Sequence, residues 1–408
     1  MKKVITTENK PIKLWLDDIE DGALEQAKNL ANLPFIFKHV AIMPDSHQGY
    51  GMPIGGVLAT ENVIIPNAVG VDIGCGMCAV QTSLTEIDTE TLKKIMGEIR
   101  KVVPVGFNKH KEMQEIDLMP KADGSLMDNF PIIYREYDNA LKSLGTLGGG
   151  NHFIEIQKGS DGYIWIMIHS GSRNLGFKVA EHYNKIAIEL NKKYYSSVDE
   201  KQELAFLPVD SEEGQAYIRE MNYCVDYAFA NRKLMMDRIK DIFTKIAYET
   251  GFSVNGDTVI ASIPESNIYF DEMINIAHNY ARQENHYGKN VWMHRKGATS
   301  ARGGEIGIIP GSQGTKSYIV KGKGNKESFE SCSHGAGRKM GRKQAQKDLN
   351  LEDEIKKLDD MGVIHNIRNI RDLDEAPSAY KDIDIVMENQ KDLTEIVVEL
   401  TPLAVIKG

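Results

Sequence analysis

Apolar residues recur along the chain with two different periods, and each period predicts a different kind of element. Alternating or continuous apolar runs predict strands. The first is PFIFKHVAIM, which runs into a glycine-rich loop at Asp45 to Gly51 and leaves Asp45 and His47 at the strand's end. PIGGVLAT and NVIIP follow as short strands, and NAVGVDIGCGMCAV, Asn67 to Val80, reads as a buried one. FIEIQ, YIWIMIH, KNVWMHRK and the closing TEIVVELTPLAVIKG add four more, and IGIIPGSQGTKSYIV gives two strands around a turn at Pro310 to Gly314. Helical spacing takes over in DTETLKKIMGEIRKVV, where acidic residues lead and basic ones close, as the helix dipole favours. It returns between Phe177 and Thr250, where Met221, Val225, Ala228, Met235, Ile239, Phe243 and Ile246 share a face and Gly251 supplies a stop. DEMINIAHNYARQENHYG is expected to be a helix or helical turn carrying His278 and His286. The polar stretch from Gly106 to Leu126 predicts an exposed loop with His110 in solvent. These elements predict one large α+β domain over residues 1–408, with mixed β-sheets, surrounding helices and a helical insertion at about 177–250.

Composition narrows the class without naming a function. A chain of 408 residues with 41% hydrophobic and 26% charged content is ordinary globular material. The opening MKKVITTENKPIKLW lacks the apolar core of a leader, and no apolar run approaches a membrane span. Four cysteines (Cys75, Cys78, Cys224 and Cys332) are too few for a disulfide scaffold at this size, so reduced thiols in a cytoplasmic protein are expected. The net charge of −9 argues against unspecific polyanion binding but permits a local basic surface.

The chemistry concentrates beside glycines. Asp72 and Cys75 stand three residues apart with Gly74 and Gly76 around the thiol. Regular alternation would send them to opposite faces, whereas a glycine bend lets both point at one spot. An inert buried pair and a metal site both satisfy that pattern. His152 follows Gly148, Gly149 and Gly150, and His169 ends a strong strand with Arg173 in the next turn. Two histidines in such settings favour a ligand role. Together with His278 they give one carboxylate, one thiol and three imidazoles on separate elements, enough for two ions sharing the thiolate if all converge. Donor softness favours zinc over manganese. Cys75 and Cys78 form a lone C-x-x-C with no second pair; Cys78, Met235 and Met236 are read as packing, and His182 as a surface or packing histidine. The turn Pro310–Gly314, with Ser312, Lys316 and Ser317 nearby, lacks P-loop spacing. His334, beside Gly335 and Gly337, stands before a basic helix whose free N–H groups would seat an anion.

Taken together, MPDSHQGYG, VGVDIGCGM, LGTLGGGNHFIEI, HSGSR, HNY, RKGA, IIPGSQGTKSY, SHGAGR, AYKDID and the terminal KG resemble the RtcB family of RNA ligases, in the family's order and over nearly the whole chain. The resemblance implies an RtcB-like fold and two Mn(II) ions held by Asp72, Cys75, His152, His169 and His278, which overrides the softness argument for zinc. It implies that GTP donates GMP to His334. It also implies a guanylate pocket of Asn151, His152, Phe153, Ile154, Glu155, His278, Asn279, Pro310, Gly311, Ser312, Gln313, Ser317, His334, Gly335, Ala336, Gly337, Tyr380 and Lys407, with Glu155 reading the guanine edge. The expected substrates are RNA 3′-phosphate or 2′,3′-cyclic phosphate ends and 5′-hydroxyl ends, in tRNA splicing or RNA repair, with an archease-like activator as a further expected partner. Arg173, Lys296, Arg338, Lys339, Arg342 and Lys343 are expected to contact RNA phosphates. The chain departs from many relatives in carrying Ala277 before His278, outside the implied ligand set. Two other classes use the same residues: a metal-dependent RNA-end phosphoesterase without ligation, and a non-catalytic RNA-end binder. Neither needs a nucleophilic His334 with a guanine pocket.

Overall fold

Two large sheets organise the chain, and one residue, His278, joins them. The computed structural model describes residues 1–250, 253–254, 257–258 and 268–408. The first sheet has six strands in the order Lys3–Ile5, Ile12–Leu14, Ile36–His47, Ile54–Thr60, Lys289–Lys296 and Asn279–His286. The second has seven, in the order Ile274–Ala277, Gly76–Gln81, Ile164–Ser170, Phe153–Gly159, Thr394–Lys407, Ser317–Gly322 and Ile306–Ile309. The chain leaves the second sheet at Ala277 and enters the first at Asn279, so His278 lies at the crossing. Helices surround the sheets, as expected of an α+β architecture.

Alternation, broken by a bulge at Pro402–Ala404, gives the second sheet two different faces. Cys78, Val80, Ile154, Ile156, Ile166, Ile168, Ala404 and Ile406 turn one way and pack with Ile95, Ile99, Met235, Ile239 and Phe243 of the helices Thr89–Val102 and Glu212–Thr250. Met77, Ala79, Phe153, Trp165, Met167, Leu400 and Val405 turn the other way, against Leu358, Val363 and Leu373. Toward one end this second face turns polar, with Glu155, His169 and Lys407 where apolar residues would otherwise continue. That polar end is the floor of the site described below.

Three sequence expectations need correction. Residues 271–288 form no helix: Ile274–Ala277 and Asn279–His286 are strands, the latter paired along its length with Lys289–Lys296. Its inward positions Tyr280, Glu284 and His286 are polar, so the strand lacks the apolar alternation that would announce it. Asn67–Val80 is a strand only from Gly76. Before it come the short helix Pro66–Val69 and a tight loop, whose small residues reflect close packing: a Cβ on Gly74 would stand 2.8 Å from the Val225 Cα. His110 is only half exposed, with Nε2 facing Gly145 O at 3.3 Å and Arg238 Nη1 at 3.0 Å. The helices Leu175–Lys193 and Glu212–Thr250 occupy most of the expected helical stretch, and the Gly251 stop lies outside the described residues. Among the described residues, no helix is long and apolar enough to cross a membrane.

Candidate active site

Backbone geometry brings the donor residues together. In the loop before Gly76, Gly70 and Gly74 adopt left-handed φ values of 95° and 76°, and the Cys75 amide closes a turn on Asp72 O at 3.1 Å. That turn solves the spacing problem, because Asp72 and Cys75 then face one side. The crossing strand fixes it: Asn279 Nδ2 donates to Asp72 O at 3.1 Å, and the His278 amide donates to Cys75 O at 2.8 Å. Asp72 Oδ2 lies 3.2 Å from His152 Nε2, while Cys75 Sγ lies 3.4 Å from His152 Nε2 and 3.3 Å from His169 Nε2. His278 Nε2 is 3.4 Å from His169 Nε2. All five expected ligands therefore meet, and the donor atoms of Cys75, His152 and His169 lie within 4.8 Å of one another.

The tautomers leave this cluster short of protons. His152 Nδ1 bonds Leu147 O at 2.9 Å and His169 Nδ1 bonds Asn151 O at 3.1 Å. A carbonyl only accepts, so in each neutral ring Nδ1 carries the hydrogen and Nε2 offers a lone pair to the centre. Burial, reinforced by the neighbouring imidazoles, holds His169 and His278 well below the usual histidine range, so both are neutral. One thiol hydrogen can serve only one of the two lone pairs facing it. Burial, then the Asp72 carboxylate, also pushes the Cys75 thiol up, an effect a bound cation would reverse. A divalent cation fits this donor set.

The long helix does more than pack. Asn231 Oδ1 accepts from the Gly145 and Thr146 amides at 2.7 and 3.2 Å, and its Nδ2 donates to Ser170 Oγ and Gly171 O at 3.1 and 3.2 Å. The next residue, fully buried Arg232, donates from Nη1 to Gly74 O at 2.9 Å and Ser170 O at 2.8 Å, and from Nε to Asn275 Oδ1 at 2.7 Å. These two residues tie every ligand-bearing loop to one helix. Sequence reading found only core spacing here, and a consecutive Asn-Arg on an otherwise apolar face was the available signal.

Beside the cluster stands His334, at the end of the strand Ser331–Ser333 and not at a helix start, since the basic helix begins only at Arg342. The anion seat expected at that helix is thus eight residues away in sequence. The His334 ring centre is 4.7 Å from that of His278, and its Nδ1 bonds Asp45 Oδ2 at 2.6 Å. The same oxygen accepts from the His334 amide at 3.1 Å, and Asp45 is wholly buried. The carboxylate fixes the hydrogen on Nδ1 and leaves Nε2 as a free lone pair. Close approach demands glycine at two neighbours: a Cβ on Gly297 would sit 3.1 Å from the His334 ring, and one on Gly337 would overlap Asp45 O. Asp45 is 289 residues from His334, and only its place at a strand end hinted at its use. His47 Nδ1 bonds Asp45 O at 3.1 Å, and burial holds this ring down to about 4.

A cavity of about 210 Å³ joins His334 to the cluster and continues between Asn151, Phe153, Glu155, Asn279, Pro310, Gly311, Ser312, Gln313, Gly335, Ala336, Gly337, Tyr380 and Lys407. Strand pairing sets Lys407 opposite Phe153, with its Nζ 5.5 Å from the ring centre. Burial raises the Glu155 carboxyl to about 8, against the pull of Lys407 and of Gln157, whose Nε2 donates to it at 2.7 Å. Ser317 stands behind the wall, where its Oγ accepts from the Gly311 amide at 3.1 Å, and the Ile154 side chain faces the helical core. Glu375, absent from the expected set, gathers the far rim: it accepts from Arg338 and Arg342 at 3.1 Å each and from the Tyr380 hydroxyl, and lies 3.7 Å from Lys407 Nζ. Of the expected phosphate contacts, Arg173 bonds Thr146 Oγ1, Lys296 is buried, and Lys339, Arg342 and Lys343 are exposed.

A family model described as tRNA-splicing ligase RtcB matches residues 26–408. The RNA-splicing ligase RtcB of Escherichia coli (strain K12) is 38% identical, covering 100% of this chain and 99% of its own. The tRNA-splicing ligases RtcB of Nanoarchaeum equitans and Thermococcus kodakarensis are 33% and 32% identical, covering 98% and 95% of this chain and 96% and 92% of theirs.

Proposed function

The chain belongs to the RtcB family of tRNA-splicing ligases, and we propose on that premise that it joins RNA 3′-phosphate or 2′,3′-cyclic phosphate ends to 5′-hydroxyl ends, using GTP and Mn(II), through a guanylylated His334. The observation that carries this reading is His334 itself. Its imidazole is oriented by a buried carboxylate, presents Nε2 to the cavity, and touches the edge of a metal-capable cluster. A water-activating phosphoesterase needs neither a nucleophilic His334 nor a base-sized pocket beside it.

In this reading His334 Nε2 attacks the α-phosphorus of GTP. A P–N bond forms, the bond to the bridging oxygen breaks, and pyrophosphate leaves. Asp45 accepts a hydrogen bond from Nδ1–H throughout and stabilises the positive charge that develops on the ring. An oxygen of the RNA 3′-phosphate then displaces His334 from the guanylate phosphorus, giving RNA(3′)pp(5′)G. The 5′-hydroxyl attacks the RNA-side phosphorus, loses its proton to solvent, and expels GMP. Asp72, Cys75, His152, His169 and His278 would hold the Mn(II) ions, which supply charge neutralisation for the phosphates and lower the barrier to in-line displacement. Phe153 and Glu155 lie on one face of their strand, so the ring can rest against guanine while the carboxylate accepts from its N1–H and amino group. An adenine would leave those groups unpaired. Support for the pocket is geometric: Lys407, Tyr380 and Gln313 close the same cavity.

Intact mass after incubation with GTP and Mn(II) tests the first step. One GMP should be added to wild-type protein, through an acid-labile, base-stable bond, and none to His334→Ala. An adduct on His334→Ala would move the nucleophile elsewhere. End processing without joining, or joining without nucleotide, would return the molecule to the phosphoesterase reading.

A further inference from the structure

Outward from the cavity runs a groove of about 830 Å³ that shares His47, Asp72 and Asn279 with it. One wall carries the exposed cations Lys339, Arg342 and Lys343. Arg342 is paired with Glu375, while Lys339 and Lys343 have no ion-pair partner among the described residues. The same groove is lined by the loop Gln48–Met52, in which Tyr50 is 66% exposed. A single exposed aromatic needs no explanation by itself. The loop beneath this one does.

Four groups from elsewhere in the fold hold that backbone. Gln26 donates from Nε2 to Gly49 O at 2.6 Å and accepts from the Gly49 amide at 3.1 Å. Glu203 Oε2 accepts from the Gly51 amide at 3.0 Å, and the Gln48 amide donates to Glu20. The buried Lys296 reaches under the loop to donate to Tyr50 O at 2.6 Å and Asn67 O at 2.9 Å. Gly51 takes a φ of 65°, and a Cβ on Gly49 would stand 2.6 Å from Met52 O. The backbone is thus fixed, while the Tyr50 ring itself has no hydrogen-bond or aromatic partner among the described residues. An unpartnered ring on a fixed loop, lining one groove with unpaired lysines, is the combination on which an unpaired base stacks while its backbone phosphates are neutralised. Glu20 and Asp72 are the acidic groups of this groove; the first is occupied by Gln48, and the second belongs to the cluster.

We infer that Tyr50 is a substrate-positioning residue: its ring stacks on an unpaired base of the RNA end that reaches the cluster, with Lys339 and Lys343 on the strand's phosphates. The inference rests on the proposal that RNA ends are the substrate. Stacking is tolerant of sequence, because every base has a π-face. It therefore orders an end without restricting which RNA supplies it.

The test places 2-aminopurine, in turn, at each of the three nucleotides nearest a 3′-phosphate and nearest a 5′-hydroxyl, in single-stranded oligoribonucleotides. Wild-type protein should quench one position on binding. Tyr50→Ala should lose that quenching and Tyr50→Phe should keep it. In joining assays Tyr50→Ala should raise KM for RNA by roughly tenfold, within the range expected for base–aromatic stacking, with kcat little changed. An abasic nucleotide at the quenched position should raise wild-type KM equally and erase the difference between wild type and Tyr50→Ala. Equal quenching by wild type and Tyr50→Ala at every position, or abasic and Tyr50→Ala losses that simply multiply, would overturn the inference. Guanylylation of wild-type protein, which uses no RNA, reports separately on the ligase reading, and the quenching comparison decides the stacking whether or not that reading stands.

Discussion

Two buried polar clusters lie along the same stretch of chain, and they are built on opposite principles. One is the donor cluster around Cys75 and His278. The other begins six residues after His278, at Glu284, in the hairpin strand that follows. Glu284 accepts from Arg295 at 2.5 and 3.1 Å and from Arg282 Nε at 2.8 Å, bonds His286 at 3.0 Å, and lies 3.3 Å from Arg302. Burial opposes its charge, yet Arg295 and the other donors hold the carboxyl far below the usual carboxylate range. The buried carboxylate there has its counter-charges. Around Cys75 the balance is missing: lone pairs converge on a centre with too few hydrogens, and His278 Nδ1 has no partner among the described residues. Burial alone therefore does not mark a site. A deficit of protons or cations does.

Breaking each cluster should separate these principles. Cys75→Ala should lower joining by more than about 100-fold and sharply reduce bound metal, because it would remove the proposed thiolate ligand, which faces both His152 and His169. Its neighbour Cys78, equally buried, faces the helical core; Cys78→Ala should cost about 1 kcal/mol of stability and keep the metal. Metal content by mass spectrometry and urea unfolding of both proteins would decide this, and equal metal loss would favour a C-x-x-C site instead. Glu284→Ala should show the reverse phenotype. It strands Arg295 without a counter-charge, so about 3–5 kcal/mol of stability should be lost, with metal content per folded molecule unchanged. A metal-depleted but stable Glu284→Ala protein would erase the distinction between the two clusters.

The same contrast explains what the sequence made legible. Strands with apolar alternation, such as Phe153–Gly159 and Ile164–Ser170, could be read directly, and so could the glycine-flanked donor residues that converge, because both signals are local. The strand Asn279–His286 could not, since its inward face is filled by Tyr280, Glu284 and His286, polar groups that meet their partners, Arg295 above all, only after folding. Glu375 and Arg232 were invisible as site residues, and Asp45 was marked only by its place at a strand end, for a related reason. Each acts on groups far away in sequence: Asp45 on His334, Glu375 on Arg338 and Lys407, Arg232 on Gly74 and Ser170. Runs of small residues also misled, because Gly74 is small to let its loop pack against the long helix and not to pair in a sheet.

Arg232 offers a finer probe, because it touches no expected ligand side chain yet holds the backbone of the loops that carry them. Arg232→Met keeps most of the volume and removes the bonds to Gly74 O, Ser170 O and Asn275. Metal affinity should fall by roughly 10- to 100-fold, the range for groups that orient ligands. Titration of metal-free protein with Mn(II) would measure it, and unchanged affinity would reduce the helix to packing.

The smallest effect concerns pH and falls on Glu155, whose carboxyl is raised to about 8 by burial, against Lys407 and Gln157. Between the ordinary carboxyl value of 4.5 and about 8 the folded protein holds a proton that the unfolded chain releases. Stability contributed by this group is therefore full below the ordinary value and declines as pH rises through that window. The proposed guanine contact would run the other way, because the base edge needs a carboxylate to accept its two donors. GTP binding should therefore strengthen as pH rises toward 8. The expected change is about fivefold between pH 7 and pH 8, as the linkage of one proton to a site of that value requires. Calorimetry at pH 7 in buffers of different ionisation enthalpy should show nearly one proton released per GTP bound. Glu155→Gln, which cannot titrate, should bind GTP more weakly at pH 8, lose the pH slope, and flatten the pH dependence of unfolding relative to wild type. Proton release that persists in Glu155→Gln would place the titrating group elsewhere and remove Glu155 from the guanine edge.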